Sequence, residues 1–160
     1  MSRTALGELE EGLALAEAGI DLYQGLTTPP IFWPLILGLR AMVHGMAGQP
    51  QRAIELIDEA IDLGGNQDVA VEFSVYKGDF LMMVPEPDRD GAEQVYLEAL
   101  EMSRGSGQRL TELMALTRLV GLHRQTGRVP DRTGELAAVY ATFTEGLDEY
   151  PLVMARQLLT

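Results

Sequence analysis

Small residues recur along this chain at a spacing that suits helices. Ala53 and Ala60 lie seven residues apart, two turns along one helical face, and Ala92 and Ala99 repeat the pair 39 residues later. A third copy falls 40 residues further on, at Arg132 and Val139, where an arginine departs from the small-residue rule. Each pair sits in the second of two consecutive apolar-periodic segments. Ala41, Gly78 and Val120 take the corresponding close-approach positions in the first segments. Small side chains two turns apart let a neighbouring helix come near, so the pattern predicts helical hairpins that bury their apolar faces on one another.

Apolar periodicity and turn residues divide the chain into helices over residues 5–18, 31–47, 51–63, 69–84, 88–104, 110–126, 131–144 and 151–159. In the first, Leu6, Leu9, Leu13 and Ala16 share a face, and Gly19 is the expected stop. Thr27-Thr28-Pro29-Pro30 is a helix-start signal, because proline is tolerated in a first turn. The segment after it is apolar nearly all round, which implies burial on more than one side. Gly48-Gln49-Pro50, Gly64-Gly65-Asn66, Pro85-Glu86-Pro87, Gly105-Ser106-Gly107 and Gly127 separate the rest, and Asp88 can cap the helix it precedes. Sustained period-two alternation is absent, so no strand is expected. The predicted fold is all-α: one domain over residues 1–160, with seven or eight helices stacked as antiparallel hairpins in a right-handed solenoid. The first helix reads as the second half of a hairpin whose partner is missing or displaced. An edge of that kind predicts self-association through the N-terminal end or docking onto another domain.

Composition narrows the function classes. Twenty-four acidic residues against twelve basic ones give a net charge of −12, with Lys77 the single lysine. A surface of that sign repels phosphate backbones, so nucleic acid is not an expected partner. Neither is a membrane: no basic run is present, and the longest apolar stretch, residues 29–39, falls short of the roughly 20 residues a bilayer span needs. Without cysteine, disulfides, thiolate metal sites and cysteine nucleophiles are all excluded. The first residues, MSRTALGELEEG, lack the charged-then-apolar layout of a secretion signal, and a cytoplasmic location is expected.

Three segments carry a family resemblance: YKGDFLM (residues 76–82), ALEMSRGSGQRLTELMALTRLVGLHRQTGR (99–128) and AAVYATFTEGLD (137–148). Together they resemble the tetratricopeptide-like C-terminal region of large bacterial signalling ATPases, with Tyr140 to Asp148 the most specific part. In those proteins the region follows a P-loop NTPase, often with a nucleotide-cyclase or transcription-regulator domain in front. The likeness covers roughly residues 12–159. It implies a helical scaffold that mediates protein contacts or senses a signal without chemistry of its own. The repeat interval here exceeds the usual tetratricopeptide unit of about 34 residues, by roughly a turn and a loop. These 160 residues contain no Gly-x-x-x-x-Gly-Lys-Ser/Thr loop, so the chain is either a fragment of such a protein or a free-standing relative.

Candidate chemistry has a plainer explanation at each position. His44 and His123 occupy one repeat position, where a hairpin needs a bulky ring, and packing is the expected role of both. Ser74 and Lys77 match Ser-x-x-Lys, but the Ser-Asp-Asn and Lys-Thr-Gly elements that give that motif meaning are absent. Asp88 and Asp90 resemble a piece of a calcium loop without its remaining ligands. Acids such as Glu55, Asp58, Glu59, Glu93, Glu98 and Glu101 fall on outer faces of second helices, where they supply solubility. No catalytic residue, metal or cofactor is expected.

One surface has the makings of a binding site. The inner face of a tetratricopeptide stack is lined by fixed positions of the first helices. Here these hold Leu35, Met42, Met46, Glu72, Val75, Asp79, Met82, Met83, Met114, Thr117, Arg124 and Gln125. Five of the eight methionines are in this set, and unbranched thioether side chains re-pack readily against varied apolar partners. The expected function is a non-enzymatic protein-interaction or regulatory scaffold, with an amphipathic helix or extended peptide as its partner. Burial of the methionines as spacers between hairpins is the competing reading. A small-molecule sensor with an apolar cavity is the alternative function. Phe32 and Trp33, at a helix start, either cap the first hairpin or form an exposed apolar anchor.

Overall fold

The computed structural model describes residues 9–24, 32–63 and 67–160. Among these residues the chain forms eight α-helices and no strand. They are α1 (Leu9–Gln24), α2 (Trp33–Met46), α3 (Pro50–Asp62), α4 (Gln67–Met83), α5 (Arg89–Ser106), α6 (Arg109–Thr126), α7 (Thr133–Tyr140) and α8 (Tyr150–Leu159). The all-α class expected from periodicity is what the chain adopts. Leu6, the Thr27 to Pro30 start signal and the Gly64-Gly65-Asn66 stop lie outside the described residues. The chain divides into two compact units, Met1–Asp88 and Arg89–Thr160.

In the first unit α2 and α3 form the tightest pair. Gly48 turns the chain at φ +73°, a left-handed conformation that a side chain would strain, and Pro50 then occupies the first turn of α3. Ala53, Leu56, Ile57 and Ala60 of α3 meet Leu37 and Ala41 of α2 in a core where each is at most 2% exposed. α4 joins this pair through two phenylalanines. A Cβ on Gly38 would come within 2.0 Å of the Phe73 ring, and one on Gly45 within 2.4 Å of Phe80. Both contacts repeat after seven residues in the same chain direction, so α2 and α4 run parallel. Glycine here makes room for a ring.

α6 is the centre of the second unit. It pairs with α5 through Gly107, at φ +74°, and it packs against both α7 and α8. Its residues Thr111 to Thr117 are buried all round the helix, which a single hairpin could not achieve. Ala92, Tyr96, Ala99 and Leu100 come from α5, Leu136 and Val139 from α7, Leu152 and Ala155 from α8. Gly127, in the left-handed conformation at φ +68°, closes α6 as its C-cap.

The small-residue rule holds at Ala53, Ala60, Ala92 and Ala99, all buried, and Ala41, Gly78 and Val120 are buried as well. Arg132 does not take an alanine's place in a helix contact. It precedes α7, bonds Glu135 through Nη1 at 2.9 Å, and leaves its buried Nε without a partner. Three boundaries differ from expectation. α1 runs through Gly19 to Gln24 because Leu13, Ala16 and Ile20 continue one apolar stripe across it. α5 likewise passes Gly105 and stops only where Gly107 turns left-handed. α7 ends at Tyr140, not 144, where Thr142 Oγ1 donates to the Val139 carbonyl at 2.7 Å.

Candidate functional site

The twelve residues expected on an inner face divide between the units and between surface and core. Leu35, Met46 and Met83 are exposed, while Met42, Glu72, Asp79 and Met82 are half-buried. Val75 of α4 is fully buried, and so are Met114 and Thr117 of α6, where Thr117 Oγ1 donates to the Leu113 carbonyl at 2.7 Å. These three belong to cores and are withdrawn from the binding surface: their helices are covered on more than one side. Arg124 and Gln125 are exposed on α6, and Arg124 Nη2 reaches Thr133 Oγ1 at 3.3 Å. Nine of the set remain accessible, Arg124 and Gln125 in the second unit and seven in the first; of those seven, Met82 lies on another flank of α4, and the six that come together are Leu35, Met42, Met46, Glu72, Asp79 and Met83.

Those residues share one face, which follows from helix geometry. At 100° per residue, Leu35, Leu39, Met42 and Met46 centre about 80° round α2 from the direction of Gly38 and Gly45, which point at α4. On α4, Glu72, Tyr76, Asp79 and Met83 centre about 80° in the opposite sense from Phe73 and Phe80, which point at α2. For parallel helices, opposite offsets put both rows on the same side of the pair. α3 packs on the other side, where Lys77 Nζ meets Asp58 Oδ1 at 2.6 Å.

The α2 row is apolar throughout. Phe32 is 62% exposed, Leu35 40%, Leu39 54% and Met46 46%, with half-buried Met42 resting partly on the core. Their spacing, 32-35-39-42-46, alternates three and four residues, which is the spacing of a helix–helix seam. Phe32 is thus the exposed member of the Phe32–Trp33 pair, and Trp33 packs against the core. Leu39 is absent from the expected set, although its place in the heptad spacing marks it. On α4, Tyr76 Oη donates to Glu72 Oε1 at 2.6 Å, which holds that carboxylate at the face.

Both histidines are buried, each in its own unit, and each is clamped by a carboxylate from the preceding helix. His44 Nε2 lies 2.9 Å from Glu17 Oε1 of α1, and its Nδ1 2.7 Å from Gln49 Oε1. Arg40 Nε donates to the same Glu17 oxygen at 2.8 Å, and its Nη2 bonds the other. His123 Nε2 lies 2.9 Å from Glu93 Oε1 of α5, Nδ1 lies 3.0 Å from the Pro130 carbonyl, and Arg128 bonds Glu93 and Asp90. Burial pushes the Glu17 carboxyl up, but hydrogen bonds and charge from Arg40 and His44 outweigh it and hold the group below the usual carboxylate range. Glu93 follows the same pattern, burial being outweighed by Arg128 and His123. Both carboxylates are thereby kept ionised as structural anchors, a role the outer-face reading of Glu93 missed. Among the described residues no group of three or more His, Cys, Asp or Glu could hold a metal.

Other motifs are absorbed by the fold. Ser74 Oγ donates to the Ala70 carbonyl at 3.1 Å and Lys77 pairs with Asp58, so the Ser-x-x-Lys match has ordinary helix partners. Among the described residues no helix is long and apolar enough to cross a membrane. No family model, no curated protein and no solved structure matches the chain.

Proposed function

We propose that the chain is a non-enzymatic protein-interaction module of tetratricopeptide type, acting as a regulatory scaffold in the cytoplasm. The observation that carries this reading is the apolar row along α2 and its N-cap, in which Phe32, Leu35, Leu39 and Met46 are exposed and Met42 is half-buried among them. Contiguous exposed apolar surface beyond a few hundred Å² marks interaction sites on soluble proteins, because leaving it in water forfeits about 25 cal/mol per Å². Two methionines in the row suit a surface that accommodates its partner by re-packing. Of the carboxylates held below their usual range, Glu17, Glu93 and Glu135 bond arginines and Asp131 accepts from the Thr133 N–H and hydroxyl, arrangements that fit structural anchors better than acid–base chemistry. The resemblance to the C-terminal region of bacterial signalling ATPases fits the same role.

A photo-cross-linker placed at Leu39 tests the proposal in cells that produce the protein. The expected result is a discrete adduct with another protein, lost when Leu35→Glu is introduced, with the thermal midpoint unchanged. An adduct pattern indifferent to Leu35→Glu, or no adduct at all, overturns it.

A further inference from the structure

We infer that the α2/α4 face docks a basic amphipathic helix, with an apolar edge against α2 and lysine or arginine along the edge that meets α4; this rests on reading that face as a docking surface. The seam spacing selects a helix. Side chains at 32, 35, 39, 42 and 46 form a ridge of period 3.5, which another helix can follow with its own apolar positions, whereas an extended strand repeats every two residues. Charge selects the sign. Beside the apolar row, α4 presents Glu72 and Asp79 on the same face, with Tyr76 and Met83 completing the floor.

Residues 1–88 carry fourteen Asp and Glu against four Lys and Arg, so ten of the chain's twelve excess negative charges lie in this one unit. A field of that sign raises the encounter rate of a basic partner and opposes an acidic one. It also disfavours a second copy of the chain on this face, since two such rows would bring acidic α4 edges and like-charged units together.

Binding of labelled synthetic helices of about 15 residues, two heptads with leucine at the seam positions, tests this. Three peptides differ only at the flanking positions, which carry lysine, glutamine or glutamate, and each is measured at low and high salt. The expected result is that the lysine peptide binds at least tenfold more tightly than the glutamate peptide at low salt. In the doubly substituted Glu72→Gln, Asp79→Asn protein that preference falls several-fold, while the glutamine peptide binds as before. Equal binding of all three overturns the basic partner and leaves the docking surface standing. If none binds while the Leu39 cross-link still forms and responds to Leu35→Glu, the helical occupant is overturned and the interaction module is not. A low-salt dimer through this face, lost on Leu39→Glu, also overturns it in favour of a second copy.

Discussion

At the scale of single residues, three glycines divide by what faces them. Gly38 and Gly45 are packing residues, each against a phenylalanine of α4, whereas Gly19 in α1 has nothing within 4 Å of an added Cβ. Alanine ordinarily gains about 1 kcal/mol over glycine inside a helix. At Gly38 that gain meets a clash at 2.0 Å with a buried ring, and over-packing a filled core costs about 1–3 kcal/mol. Gly38→Ala is therefore expected to be net destabilising by up to about 2 kcal/mol. Phe73→Leu loses apolar surface by itself but should relieve the Gly38→Ala clash, so chemical denaturation of the double-mutant cycle should show favourable coupling. Additive losses would refute the ring contact. Gly19→Ala should instead stabilise α1 by up to about 1 kcal/mol, seen as slower amide exchange in that helix.

At the scale of elements, α1 shows both what the sequence made legible and what it concealed. Alternating apolar segments and turn glycines were enough to place eight helices, since burying an amphipathic stripe is what drives each to form. Gly19 misled because a local stop signal was overridden by an apolar stripe that continues past it. The clamp of α1 onto α2 was hidden for another reason. Nothing local distinguishes Glu17 from a solvated acid, and its partners lie 23 and 27 residues away. The binding set erred similarly at Val75, Met114 and Thr117, whose burial depends on the helices packed around them. The clamp has a consequence in acid. The Glu17 carboxyl is held below its usual range, so its contribution is fully present above the ordinary carboxylate pKa and is lost as pH falls through the lowered value. Amide exchange of α1, measured relative to α3, should accelerate on acidification through that window. Glu17→Gln should show the faster α1 exchange already at neutral pH and little further change in acid. Equal pH response of α1 and α3 in the native protein would count against the clamp.

At the scale of the whole molecule, charge and apolar exposure oppose one another. The chain carries a net −12, concentrated in the unit that also exposes the α2 row, and such excess keeps copies apart in dilute salt. Self-association through the α2 row, a surface other than the first-helix edge named from the sequence, is then conditional on screening. At about 1 M salt the Debye length shrinks to roughly 3 Å, which removes most repulsion between exposed acids while salt leaves apolar attraction intact or strengthens it. Sedimentation equilibrium should accordingly find a monomer at low salt and increasing self-association as salt rises. Leu39→Glu should abolish that association by placing a charge in the seam. A competing effect is the loss of surface ion pairs in salt, but each exposed pair is worth only about 0–1 kcal/mol, and Arg40–Glu17, Arg52–Glu55 and Lys77–Asp58 do not involve the apolar row. The two effects are separable: weakened ion pairs would lower the thermal midpoint, whereas association through α2 would raise the sedimenting mass at constant midpoint. A mass that stays monomeric across the salt range, with the row still exposed, would mean that the seam needs the lysine or arginine edge of a different chain to close.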